Sequence, residues 1–371
     1  LMYRNLRDPY AWHWRNGNSR WDVIDLMRAA FALRPDGIEW PRRDDGAPSF
    51  RLEDIAAANG LRNDSPHEAL ADVRTMIDLV RLVREKKPDL FDYYLKLRDK
   101  RAVARHLKSP FVWISSLIGA ERGCASLMAP VTRHPQDSNA VIAFDLYHDP
   151  TPFTKTSPED LRAALFGRAD SEGSDGEGMD RRPPLYKIKT NACPFVGSAG
   201  LLDADVRGRL GLDEAALQAN YRNLTSASGF ADTVYAALER DVDRADVDVD
   251  AALYTGFIPD ADREMLSQML DADLSLAGAP EVRFEDGRLA DLVFRYRARN
   301  FPHTLNEEET ARWRAHCRSR HLEPGEDGRS SMDAYTASIE RLREEHPNDE
   351  QVAELLDDLA DYGRRLRRWL G

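Results

Sequence analysis

Two side chains in the segment SPHEALAD have the types and spacing for hydrolytic chemistry: His67, and Asp72 five residues later. A carboxylate holds Mg²⁺ through hard oxygen ligands, and a nearby imidazole, with its pKa near neutrality, removes a proton from an attacking water. One carboxylate cannot anchor two ions, so further acids must converge from elsewhere. Asp25 and Asp145 are acids set among apolar residues, yet neither forms a D-x-E with a second acid. An HxxxxD pair is short and also occurs as a satisfied polar pair on a helix surface. What favours chemistry is the position of Asp72 between Leu70 and Val73, where a carboxylate without a partner or metal would be costly.

The pair must be carried by a helix. Ser65 suits the cap, Pro66 the first turn, and Glu68 completes a capping box, which predicts a helix over 65–87 ended by Pro88. Leu70, Val73, Ile77, Val80 and Val83 recur at three or four residues and form its expected buried face. Before it, apolar periodicity predicts a helix over 21–33, an irregular loop with Gly37, Pro41, Gly46 and Pro48, and a short helix over 51–59. After it, a single helix is expected over 89–107. The texture then turns β-rich at 111–118, 140–147 and 185–190, which suggests a small barrel. Residues 169–180 are Gly, Ser and acids and read as a flexible surface loop. Beyond about 205 the chain is again helical, with amphipathic stretches at 306–320, 333–346 and 350–370, the last ending in the basic run RRLRR.

The remaining polar candidates concern binding. Tyr10, Trp12 and Trp14 alternate with Arg15 and Arg20, a pattern that suits base stacking beside phosphate contacts, or plain core packing. In YRARNFP, Arg297 and Arg299 read as a phosphate-facing edge or a solvated one. The net charge of −12, from 52 basic and 64 acidic residues, speaks against nucleic acid only at first sight. Residues 1–51 hold nine arginines against seven acids, whereas 231–250 hold seven acids and two arginines, so a local basic groove is compatible with an acidic chain. A composition of 42% hydrophobic and 31% charged residues excludes wholesale disorder and a membrane bundle. Cys124, Cys193 and Cys317 lie too far apart for a disulfide framework or zinc ribbon, so a reducing, intracellular setting is expected. The length suits two or three domains.

The blocks DPYAWHWRNGNSRWDVIDLMRAAFALRPDGIEWP, GAPSFRLEDIAAANG, SPHEALADVRTMIDLVR, RGCASLMAP, LYTGFIPDADR and FRYRARNFPHTL together resemble the bacterial exodeoxyribonuclease I family, in the histidine-containing branch of the DEDD exonuclease superfamily. The resemblance runs from residue 3 almost to the end. It implies an α/β ribonuclease H-like exonuclease domain, incomplete at its start (1–87), an SH3-like β-barrel domain (88–248) and an α-helical C-terminal domain (251–371). It further implies a 3′→5′ exonuclease that degrades single-stranded DNA to 5′-mononucleotides, with two Mg²⁺ ions per active site, in DNA repair and recombination.

By the same resemblance His67 becomes the general base, Asp72 a metal ligand and Arg51 a substrate-backbone contact, although on its own Arg51 reads as a surface arginine at a helix start. Tyr10, Trp14, Arg28, Ser65, Lys100, Asn139, Asn191, Tyr254 and Phe257 are the implied DNA track. Arg34 and Tyr93 are implied to hold the acidic C-terminal tail of single-strand-binding protein, a basic residue beside a ring suiting a carboxylate and a terminal Phe. A cytoplasmic monomer without membrane attachment is expected. The chain opens at Leu1 in what reads as mid-domain text, so it is expected to be a fragment. The family's D-x-E and second-motif aspartate have no counterpart in it, three of four metal carboxylates are missing, and these 371 residues alone are expected to be inactive. Loss of the first strands should leave apolar surface on the 65–87 helix. The rival reading is a non-catalytic single-stranded-DNA-binding or scaffold module, and a related RNA-trimming exonuclease is disfavoured by the long C-terminal half.

Overall fold

In the computed structural model, which describes residues 2–13, 15–61, 69–167, 182–239, 247–271, 283–322 and 331–370, the first long helix begins where the Asp22 carboxylate accepts the Ile24 amide (3.0 Å). This helix, α1 (Val23–Leu33), buries Leu26, Met27, Ala29, Ala30 and Leu33 on one side. The chain divides into two units, Trp12–Val242 and Leu1–Ala11 with Asp243–Gly371, which are taken in turn.

In the first unit α1 is followed by α2 (Leu52–Ala58) and α3 (Ala69–Lys86). The inner face of α3 is Thr75, Leu79 and Val83, with the Thr75 hydroxyl returned to the Ala71 carbonyl (2.9 Å). This corrects the expected face: Leu70, Val73 and Ile77 are 54%, 45% and 44% exposed. Apolar surface was also expected on this helix, and these three residues supply it. Pro88 separates α3 from α4 (Pro88–Lys96), and α5 (Lys100–His106) follows, so the helix expected over 89–107 is two. The break lies at Asp99, whose carboxylate caps the Arg101 amide (2.8 Å) instead of letting the helix run through.

Strands β1 (Phe111–Ile114), β2 (Ala125–His134), β3 (Asp137–Asp145), β4 (Leu185–Lys189) and β5 (Phe195–Ser198) form one antiparallel sheet in the order β4-β3-β2-β1-β5. The register of β2 on β3 shifts between Pro130 and Thr132 and again between Arg133 and His134, irregularities of the kind that bend a ladder. Neither β2 nor β5 is among the expected strands. Ala, Ser, Met and Pro make β2 a weak strand by propensity, and Pro130 sits where the register slips. Helices α6 (Pro158–Phe166), α7 (Ala204–Leu210), α8 (Glu214–Ser226) and α9 (Phe230–Leu238) complete the unit. Arg162 of α6 caps the end of α9 by donating to the carbonyls of Ala236, Ala237 and Glu239 (2.6–3.0 Å). The loop expected at 169–180 lies outside the described residues.

The second unit joins residues 2–11 to α10 (Asp260–Asp271), α11 (Arg288–Asn300), α12 (Glu307–Leu322), α13 (Met332–Glu345) and α14 (Glu350–Leu370). Tyr3 and Leu6 enter its core beside Leu266, Met269, Leu289, Leu292 and Val293. The pair α13 and α14 approaches closely at Gly363, where a Cβ would lie 2.9 Å from the Tyr335 ring. No described helix is long and apolar enough to cross a membrane.

Candidate nucleic-acid interface

Asp72 lies in the first turn of α3, where the helix dipole favours a carboxylate. It is half-buried, and its neighbours Leu70 and Val73 are exposed, so the expected desolvation of this carboxylate by an apolar stretch is not what the fold provides. His67, Ser65 and Trp14 lie outside the described residues. Among the described residues no group of three or more His, Cys, Asp or Glu side chains is placed to hold a metal ion. Asp25 and Asp145, the two acids set among apolar residues, are paired with Arg28 (2.8 Å) and Arg122 (2.9 Å). The described donors, Asp72 aside, therefore do not fit a two-ion site.

Arg51 is the residue before α2 and is exposed. Its backbone is set by Ser49, whose hydroxyl donates to Asp54 (2.5 Å) and accepts the Arg51 amide (3.4 Å), and by the Phe31, Trp40 and Phe50 rings, which pack edge to face. Arg28 lies over Phe50 and donates to Asp25, and only 13% of its side chain is exposed. Burial raises the Asp25 carboxyl above its ordinary value, with the Arg28 hydrogen bond pulling the other way. A phosphate would have to compete with that carboxylate for Arg28. Tyr10 is exposed, as is Trp12 at 61%, a ring that belongs to the alternating aromatic pattern but not to the DNA track implied by the resemblance.

Beside the five-stranded sheet the structure brings three candidates together. Lys100 Nζ lies 3.5 Å from Asn139 Oδ1, and the Thr190 hydroxyl donates to the Asn139 carbonyl (3.0 Å), which places the turn Thr190–Ala192, and with it exposed Asn191, on the same edge. Lys189, paired across the ladder with Ala140, extends this edge; its Nζ is 3.7 Å from Asp137. Nothing in a five-residue strand marks Lys189 without the register.

In the second unit Tyr254 and Phe257 are 84% and 98% exposed. Rings this open have no packing role in the unit, so the exposure favours a binding one. The opposite holds for YRARNFP. Arg297 is buried and paired with Glu309, and Arg299 donates to Asp250 (3.3 Å) and to the Arg4 carbonyl (2.6 Å), so the phosphate-facing reading of that pair is corrected: both hold the unit together. Asp248 belongs to the same network. Burial alone would raise its carboxyl, but hydrogen bonds from Arg295 and the Asp250 amide, with the charges of Arg295 and Arg320, hold it down at about 2.

Arg34 follows α1 and is exposed, while Tyr93 lies on α4, which packs against α1. The Tyr93 hydroxyl donates to the Val196 carbonyl (2.8 Å) and meets His106 Nε2 (3.2 Å), and burial pushes the phenol up to about 12. Arg34 donates to the Leu33 carbonyl (2.6 Å) and Arg209, unmarked by sequence spacing, to the Ala32 carbonyl (3.2 Å), so two guanidinium groups meet at the C-terminal end of α1.

The chain is similar to known proteins. The family model of the Exonuclease I SH3-like domain matches residues 98–240, and that of the Exonuclease I C-terminal domain matches 247–366. Exodeoxyribonuclease I of Escherichia coli (strain K12) is 36% identical over 371 residues, 99% of this chain and 76% of that protein. The crystal structure of E. coli Exonuclease I in complex with a dA16 oligonucleotide superposes with a TM-score of 0.87 at 35% identity, over 98% of this chain and 77% of that one. The ExoI/SSB-Ct complex does so at 0.84 and 35% identity, over 98% and 76%. The fold is therefore that of these enzymes, an α/β exonuclease part with an SH3-like domain and a helical C-terminal domain. With relatives this similar along nearly all of this chain and about three quarters of their own length, the chain belongs to the exodeoxyribonuclease I family of nuclease hydrolases.

Proposed function

We propose that this protein is a 3′→5′ exonuclease that degrades single-stranded DNA to 5′-mononucleotides, with Mg²⁺ as its metal, in DNA repair and recombination in the cytoplasm. The observation that carries the reading is the similarity to E. coli Exonuclease I, a protein solved with a dA16 oligonucleotide. In this reading Asp72 is a metal ligand and His67 takes the proton of the attacking water. Arg51 meets the DNA backbone, the Lys100, Asn139 and Asn191 edge steadies the strand, and Tyr10, Trp14, Tyr254 and Phe257 stack on bases. Ser65 and Arg28 are weaker contacts, Arg28 because Asp25 already holds it. Arg34 and Tyr93, with Arg209 beside Arg34, form the docking point for the acidic tail of single-strand-binding protein, as the ExoI/SSB-Ct complex suggests.

A second reading, a non-catalytic single-stranded-DNA-binding module, draws on Tyr254 and Phe257, whose exposure serves binding without any metal. The full-length gene product, given 5′-labelled single-stranded DNA and Mg²⁺, is expected to shorten it stepwise from the 3′ end. His67→Ala should lower the rate by about 100-fold or more, the scale of a lost general base, and Asp72→Asn, which removes a metal ligand, should lower it as well. Retention of full activity in Asp72→Asn removes Asp72 as a metal ligand, whereas DNA binding with no cleavage by the unsubstituted protein decides for the binding module.

A further inference from the structure

Tyr254 and Phe257 sit on a turn that one side chain holds. The turn begins with the one-turn helix Ala252–Tyr254, and Leu253 and Ile258 on either side pack onto the core of the unit. Between these anchors the backbone is gripped by Arg288, the first residue of α11. Its Nη1 donates to the Ala252 carbonyl (2.5 Å) and the Thr255 hydroxyl (2.7 Å), and its Nη2 to the Gly256 carbonyl (3.1 Å). Its Nε and Nη2 also hold the Asp286 carboxylate (2.9 and 2.6 Å), so each of the five guanidinium hydrogens has an acceptor.

The grip is itself anchored. Asp286 accepts the Arg288 amide (3.0 Å), and the backbone at 285–286 is fixed by Asp262, which is 1% exposed and accepts the amides of Glu285 (3.1 Å) and Asp286 (2.9 Å). The chain of contacts runs from Asp262 on α10 through Asp286 and Arg288 to the turn. The hydrogen bonds with Arg288 hold the Asp286 carboxyl below its ordinary value, and that carboxylate in turn raises Arg288.

We propose that Arg288 is a positioning residue for single-stranded DNA: it contacts no phosphate but fixes the 252–257 turn so that Tyr254 and Phe257 stand as a preformed pair of stacking faces. The inference rests on the reading of these two rings as DNA contacts. Stacking tolerates any base but requires the ring to be in place, and a turn free to move would lose ordering entropy on each encounter. Lysine at 288 cannot replace the clamp, since one ammonium cannot hold a carboxylate side-on while reaching the carbonyls of both Ala252 and Gly256.

The test uses the full-length protein and a steady-state exonuclease assay with a direct measurement of oligonucleotide affinity. Arg288→Lys is expected to weaken affinity about tenfold and to raise KM by a similar factor with kcat within about twofold, a part of what two stacked bases contribute. In the Tyr254→Ala/Phe257→Ala background the same substitution is expected to add nothing. An equal loss in that background shows that Arg288 does not act through the rings and overturns the proposal. Unchanged affinity in Tyr254→Ala/Phe257→Ala alone instead removes the reading of the rings as contacts, and the proposal with it. Should Arg288→Lys fail to fold, Thr255→Val deletes one acceptor of the clamp and is expected to give a smaller loss confined to KM; a loss in kcat alone contradicts the proposal.

Discussion

Asp145 is fully buried and is paired with Arg122, which donates to both carboxylate oxygens (2.9 and 3.2 Å) while lying 3.9 Å above the Tyr147 ring. The Ser126 hydroxyl and the Tyr147 amide also donate to its Oδ1. Removing one partner of such a pair strands the other, so Arg122→Ala is expected to destabilise the chain by about 3–5 kcal/mol, more than the roughly 1 kcal/mol of an exposed pair such as Arg81 with Asp78. Urea unfolding of the two variants Arg122→Ala and Arg81→Ala checks this; equal losses would mean that the pair is not a buried one in solution. Asp145 was visible in the sequence only as an acid among apolar residues, a description shared by a metal ligand and a buried ion pair. Its partner is 23 residues away and no local spacing links them. The same limit applies to Arg297 and Arg299, whose acceptors Glu309 and Asp250 come from other segments.

At the scale of elements, helices were legible because each carries its own period and its own cap: Asp22, Asp99 and Ser157 all accept amides of the turn they start. Orientation was less legible. Helix α3 is apolar on two sides, Leu70, Val73 and Ile77 on one and Leu79 and Val83 on the other, and a period alone cannot say which is inward. Strand β2 was missed because its residues fit the sheet by position, not by propensity. The two sides of α3 give opposite expectations. Leu79→Ala, at 1% exposure, should cost about 2–5 kcal/mol through lost contact and a cavity. Leu70→Gln, Val73→Gln and Ile77→Gln should each change the stability of the 371-residue chain by no more than about 0.5 kcal/mol. If the three glutamines destabilise it as much as Leu79→Ala, that stripe is covered in solution and the inner face has been assigned wrongly.

For the whole molecule the question is how a chain of net charge −12 holds a polyanion. Much of its arginine is already committed to its own carboxylates: Arg28 to Asp25, Arg295 to Asp248 and Asp250, Arg288 to Asp286. Of the proposed DNA contacts only Arg51 and Lys100 are exposed cations, whereas Tyr10, Tyr254 and Phe257 offer exposed rings. Binding carried by stacking answers weakly to salt, because counterion release scales with the number of phosphates neutralised. With about two such contacts, the slope of log K against log salt for single-stranded DNA should be near −1.4, or about a tenfold loss over a fivefold rise in salt. Tyr254→Ala and Phe257→Ala should lower affinity at every salt concentration and leave that slope unchanged, while Lys100→Ala should make it shallower by about 0.7. Fluorescence anisotropy of a labelled oligonucleotide across a salt series measures both quantities. A slope steeper than about −4 in the unsubstituted protein would require six or more neutralised phosphates, and binding would then have to come from arginines outside the proposed track.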